Sequence, residues 1–273
     1  VPAPIVEDSL PAPILNVYIE NSLSMDGYVK GATKFETNIS DYLVALKNAD
    51  LGNIVDTLNV DGTNEINIFF INKKAYPYKG GDITVLMEAI EPNSSQYIVG
   101  GIDRKTTNIG ELISGLIDDV DTESAVSIFV SDCIFSPGMS QQTREYGAEE
   151  WLNKQRVWLN DAVAKKVKKD PTFTMVGYRL ESQFRGNFYD KFDQKKRNFV
   201  GTRPYYIWLM GGRKYVSKIM SEVPMGENID MVVLGKVQGE FKDYKIENSL
   251  HCGSFRINNF NTISKAKKTK EKG

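Results

Sequence analysis

The sequence predicts an α/β layer fold with a mainly parallel central sheet. Two observations predict it. Strand-like segments alternate with amphipathic helical patterns over residues 15–222. One segment, Ala125 to Val130 (AVSIFV), is almost continuously apolar, the pattern of a strand buried on both faces.

The elements follow in order. Asn16 to Glu20 is β-branched and aromatic and reads as a strand. Phe35, Ile39, Tyr42, Leu43 and Leu46 recur at helical spacing, so Lys34 to Lys47 reads as an amphipathic helix. Ile66 to Ile71 (INIFFI) is a strand, with Ala75 to Tyr78 pairing as an edge. Asp82 is placed to cap a short helix carrying Ile83, Leu86, Met87 and Ile90. Thr107 or Asn108 starts another, with Ile109, Leu112, Ile113 and Leu116 inward. After the apolar strand, residues 131–148 read as a long loop. Glu149 to Lys169 then reads as a helix with Trp151, Leu152, Trp158, Leu159 and Ala162 inward, stopped by Pro171. Its terminal lysines suit the helix dipole. Thr172 to Leu180 is a strand, residues 181–203 an insertion or hairpin, Tyr205 to Met210 a strand and Lys214 to Glu222 a helix. Residues 226–263 add strands outside the main unit.

Composition narrows the functional classes. Of 273 residues, 41% are hydrophobic and 25% charged, ordinary globular usage. Thirty-four Lys+Arg against 35 Asp+Glu give a net charge of −1, which argues against a dedicated nucleic-acid binder. Two cysteines, Cys133 and Cys252, exclude a disulfide scaffold and a four-Cys zinc site. The single histidine, His251, excludes most His-based catalysis. Gly100-Gly101 and Gly211-Gly212 match neither a dinucleotide nor a P-loop fingerprint. Residues 264–273 hold five Lys and one Glu, a solvated basic tail.

Parallel sheets bind ligands at the carboxyl ends of their strands. Three loops there carry small oxygen donors: Glu20-Asn21-Ser22-Leu23-Ser24-Met25, Lys105 to Gly110, and Val130-Ser131-Asp132. As purely structural groups, Ser22, Ser24 and Thr107 would cap helices and satisfy loop amides, and Asp132 would bond the same loops. As a set, their carboxylates and hydroxyls suit a hard cation such as Mg²⁺.

The run Glu20-x-Ser22-x-Ser24, then Thr107, then Asp132, resembles the metal-ion-dependent adhesion site of von Willebrand factor A-like domains. That family's pattern is Asp-x-Ser-x-Ser, then Thr, then Asp. The resemblance spans roughly residues 15–225 and implies a three-layer, Rossmann-like fold. It further implies that Ser22 and Ser24 ligate Mg²⁺ (or Mn²⁺) directly, Thr107 and Asp132 directly or through water, and that a partner's Asp or Glu completes the shell. Glu20 departs from the family's Asp by one methylene, so the metal affinity, more than the fold, rests on that position. A degenerate site on an intact fold is the alternative. The expected function is a non-catalytic protein-binding module, with Asp26, Ser136, Arg185 and Phe188 as candidate partner-binding residues. Phe184, Phe188, Tyr189 and Phe192 interleaved with charges read either as a satellite cluster under a loop or as a partner surface.

The runner-up is a metal-dependent nuclease of the PIN/NYN type, which also places acids at strand ends. Two-metal phosphodiester cleavage needs three or four clustered carboxylates. Here Glu20 and Asp132 are joined only by Glu111, and hydroxyls stand where acids are needed. Residues 1–14 contain Pro2, Pro4, Pro11 and Pro13 and read as an extended arm. That arm either lies on the domain or tethers it to a removed N-terminal membrane anchor. With the adhesion-like resemblance, the expectation leans to an exported bacterial lipoprotein of the cell envelope, with a cytoplasmic home as the alternative.

Overall fold

The computed structural model describes residues 11–31, 33–52, 63–80, 83–92, 94–99, 104–105, 107–134, 141–189, 195–226 and 229–235; the side chains of Thr84 and of residues 141–149, 151 and 152 are outside the description. Seven strands form one sheet: β1 (Ile14–Glu20), β2 (Ile66–Ile71), β3 (Ala75–Pro77), β4 (Ala125–Ser131), β5 (Phe173–Tyr189), β6 (Lys195–Gly212) and β7 (Asp230–Gly235). Their order is β3-β2-β1-β4-β6-β5-β7. Among the described residues, five α-helices accompany them: α1 (Lys34–Asn48), α2 (Leu86–Ala89), α3 (Ile109–Asp119), α4 (Gln141–Lys169) and α5 (Arg213–Glu222). None of the described helices is long and apolar enough to cross a membrane.

The fold is α/β, as expected, but the sheet is mixed. β1 runs parallel to both β2 and β4. The other neighbours, β2–β3, β4–β6, β6–β5 and β5–β7, are antiparallel. The mainly parallel sheet expected from alternation is therefore corrected. The β4–α4–β5 crossover skips one strand position, and the chain fills it by turning back through a hairpin as β6. Of the two expectations for residues 181–203, insertion or hairpin, the described residues form the hairpin: both of its sides extend β5 and β6, with a register shift between Gly186 and Phe188. The strand at residues 230–235 joins the edge of this same sheet instead of lying outside the main unit.

Strand periodicity decides what each face buries. Leu15, Val17 and Ile19 of β1 and Val126, Ile128 and Val130 of β4 enter one core with Phe35, Ile39 and Leu43 of α1, Leu86 of α2 and Val216 and Ile219 of α5. The alternate residues Phe129 and Met210 are fully buried as well, so β4 is covered on both faces. α1 is set by a reciprocal cap: Glu36 N–H donates to Thr33 Oγ1, and Thr33 N–H donates to Glu36 Oε2 at 2.8 Å.

Helix α4 begins at Gln141, eight residues before the expected start. Gln141 to Glu150 is rich in helix formers, and the interior Gly147 costs only about 1 kcal/mol against Ala. Its phase also differs. Leu159 and Ala162 face inward, but Trp158 is 44% exposed and Gln155 takes the inward position one turn before Leu159. Leu112 is only half-buried, because Ile109, Ile113 and Leu116 define the inner stripe of α3. Asp82, Trp151, Leu152, Phe192, Ser136, Cys252 and His251 lie, with their expected roles, outside the described residues or side chains. So do most of the N-terminal arm, residues 236–263 and the basic tail.

Candidate functional site

The register of the parallel strands builds the site. Ile19 pairs with Val130, so the next residues along, Glu20 and Ser131, stand side by side on the same sheet face. Ser131 Oγ donates to Glu20 Oε2, and Cys133 N–H donates to Ser131 Oγ at 2.7 Å. The extra methylene of Glu20 thus has a local use: it reaches a serine on the neighbouring strand. Cys133 turns the chain at φ 52°, and its sulfur accepts from Trp208 Nε1 at 3.4 Å. Asp132 folds back over the strand end, where Oδ1 accepts from Ile134 N–H at 3.0 Å.

The loop after β1 meets Asp132. Ser24 Oγ donates to Asp132 Oδ1 at 3.2 Å, and Ser22 Oγ lies 2.8 Å from Ser24 Oγ. Ser24 immediately precedes a 3₁₀ turn (Met25–Gly27), yet its hydroxyl caps no backbone N–H there. Thr107 is similarly released from capping, because its neighbour Asn108 caps α3 by accepting from Glu111 N–H. The structural alternative for these hydroxyls, capping, is therefore not what they do.

All five residues are buried: Glu20, Ser22, Ser24, Thr107 and Asp132. Three of their oxygens have no hydrogen-bond partner among the described residues: Glu20 Oε1, Thr107 Oγ1 and Asp132 Oδ2. Buried polar atoms are normally satisfied, and each exception calls for an occupant or a function. Ser22, Ser24 and Thr107 line a cleft of about 10 Å³, beside Ile134 and Tyr189. That is room for one water-sized particle.

Electrostatics follow from burial. Desolvation, helped by repulsion from Asp132, pushes the Glu20 carboxyl up to about 8. The Ser131, Ser22 and Thr107 hydroxyls oppose the rise, although Thr107 stands outside hydrogen-bond geometry. Burial also raises Asp132, against the opposing pull of Ile134 N–H, Arg203 and Ser24. The donor set fits a hard divalent cation, whose charge would offset both desolvation penalties. Among the described residues no group of three or more His, Cys, Asp or Glu could hold a metal, so any cation here depends on hydroxyls.

One decisive residue escaped sequence reasoning. Arg104, 7% exposed, donates from Nε to the Asn21 carbonyl and from Nη2 to the Ser22 carbonyl, and pairs with Asp26. Its own carbonyl accepts from Leu23 N–H at 3.0 Å, and its guanidinium lies 5.0 Å from the Tyr97 ring centroid. It fixes the loop that carries Ser22 and Ser24. The only sequence signal was its position beside the Lys105 to Gly110 loop.

The candidate partner residues divide. Asp26 is paired with Arg104. Arg185 is exposed on β5. Phe188 packs on Phe199, with ring centroids 5.6 Å apart, under the Arg203 guanidinium. Phe184 belongs to the main core. Comparison with protein-family models, curated proteins and solved structures finds no match to this chain.

Proposed function

We propose that the chain is a von Willebrand factor A-like, non-catalytic binding module that captures a partner carboxylate through a divalent cation. The observation that carries the reading is the convergence of Ser22, Ser24, Thr107 and Asp132 around orphaned buried oxygens. Strand pairing supports it in part: β1 lies parallel between β2 and β4, and the site sits at the carboxyl ends of β1 and β4. In this reading the helices complete a three-layer arrangement around the mixed sheet.

Ser22, Ser24, Thr107 and Asp132 would hold Mg²⁺ or Mn²⁺, which supplies a Lewis-acidic charge for an external carboxylate. Glu20, fixed by Ser131, would give up its proton as the cation binds and then contribute negative charge to the site. Arg104 keeps the two serines in place. Few charged ligands touch the cation, so it keeps its attraction for a partner's Asp or Glu. The nuclease reading ranks second, because Glu111 bonds Asn108 on the exposed side of α3 and leaves only two carboxylates together. Export and a lipid anchor remain part of this proposal, resting on the Pro-rich arm and the adhesion-like resemblance.

Water proton relaxation by protein-bound Mn²⁺ tests the reading. An Asp-containing peptide should lower the relaxation by displacing metal-bound water, and its Asn counterpart should not. Equal responses to both peptides would contradict carboxylate capture.

A further inference from the structure

Beside the hydroxyl cluster lies a groove of about 600 Å³, bordered by Asp26, Lys30, Glu91, Asn187, Tyr189 and Lys195. Tyr189 borders both this groove and the cleft that holds Ser22, Ser24 and Thr107. Leu23 borders both as well, so the two are neighbours, joined at these two residues. The groove's size is that of a site for a short ligand segment.

Its charge has a direction. Of its two acids, Asp26 is already paired with Arg104. Lys30 and Lys195 are exposed and make no ion pair among the described residues. Among the described residues of the β5–β6 hairpin, which forms the far wall and lines the groove with Lys195, basic side chains outnumber acids although the chain as a whole is −1. They include Arg185, Lys195, Lys196, Arg197 and Arg203, against Glu181, which Arg179 neutralises at 2.7 Å. The wall is also firmly held. Phe184 is buried in the core, its ring 4.9 Å from that of Tyr28, and Tyr28 Oη donates to the Pro204 carbonyl at 2.6 Å.

We infer that this groove selects the partner: it takes an acidic peptide segment, one carboxylate of which reaches the cation site while its neighbours face Lys30 and Lys195. The inference rests on the cation reading and adds the partner's chemistry to it. Glu91, which makes no ion pair among the described residues, breaks the positive surface, which suits a short acidic peptide better than a continuous polyphosphate chain.

Fluorescence anisotropy with two labelled peptides separates the two layers. Gly-Asp-Gly-Glu-Gly-Asp-Gly carries flanking acids, and Gly-Asp-Gly-Gln-Gly-Asn-Gly keeps only the first. In Mg²⁺ the acidic peptide should bind about ten-fold more tightly, with a steeper salt dependence. Lys30→Glu/Lys195→Glu should erase that advantage and leave the single-acid peptide unaffected; circular dichroism checks that the double variant folds. Equal affinities for the two peptides on the wild-type protein would overturn the inference, as would an advantage that survives the double reversal. If the single-acid peptide ignores chelator while the acidic one still responds to the reversal, the groove stands and the cation reading fails. An oligothymidylate of equal charge that outcompetes the acidic peptide at the same salt would overturn the groove's assignment in favour of nucleic acid.

Discussion

Ser24 donates a hydrogen bond to Asp132 across 108 residues of chain, and that bond closes the loop after β1 onto the loop after β4. The pair is buried, and the second Asp132 oxygen has no partner among the described residues. A structural hydrogen bond needs one acceptor atom; here a second is buried beside it with no partner among the described residues. That asymmetry is the physical basis for reading the cluster as a binding site.

Asp132→Asn separates the two roles. The amide oxygen still accepts from Ile134 N–H, and a buried charge is removed. Without metal, the variant should melt at or above the wild-type temperature. In wild type, Mg²⁺ at a hundred times its Kd should add about 2–3 kcal/mol of stability. Asp132→Asn should lose that increment, and differential scanning calorimetry reads both effects.

The raised Glu20 pKa gives a pH dependence of defined sign. The folded protein keeps a proton on Glu20 up to about pH 8, whereas the unfolded chain releases it near the ordinary value of 4.5. Between those values the unfolded state binds fewer protons, so metal-free stability should fall as pH rises and level off above about 8. Raised Asp132 acts in the same direction. Urea midpoints at pH 5 and pH 8 measure the fall, and Glu20→Gln should flatten it. Identical pH profiles for the two proteins would show that Glu20 is already ionised in the folded state.

Arg104→Met should cost about 2–4 kcal/mol, because the Asn21 and Ser22 carbonyls and Asp26 all lose their donor. Arg104→Lys should recover part of the stability but less of the metal affinity, since one ammonium cannot reproduce the fork that spans both carbonyls. Chemical denaturation and metal titration of both variants check the split.

Gly27 tests the link between the ligand loop and the hairpin. A Cβ there would lie 2.2 Å from the Phe184 ring. Gly27→Ala should destabilise by about 1–3 kcal/mol. The double variant Gly27→Ala/Phe184→Leu should recover more than the sum of the single effects allows, as a double-mutant cycle reads.

The parts that were legible in the sequence depended on local rules. β-Branched and aromatic composition gave β1 and β2, near-continuous apolarity gave β4, and helical spacing gave α1 and α3. The hydroxyl and carboxylate loops follow from strand ends, so Glu20, Ser22, Ser24, Thr107 and Asp132 could be named before their contacts were visible. What could not be read was non-local. Nothing in residues 172–212 says whether β5 lands next to β4 or one position beyond it; the hairpin decides. The phase of α4 misled because Trp158 is apolar and Gln155 polar, yet packing against α3 buries the amide and exposes the indole. Arg104 was invisible because it binds main-chain carbonyls 82 and 83 residues away, which have no side-chain signature. Ser131 was read only as part of a loop, although its register with Glu20 makes it the carboxylate's partner.

The most direct test of the cation site is isothermal titration calorimetry with Mg²⁺ and Mn²⁺ on the wild-type chain and on Ser22→Ala/Ser24→Ala. One-to-one binding in the wild type, with proton release below pH 8 and loss in the double variant, is the expected result. Unchanged binding in the double variant, or no binding in a wild-type protein shown to be folded, would contradict it.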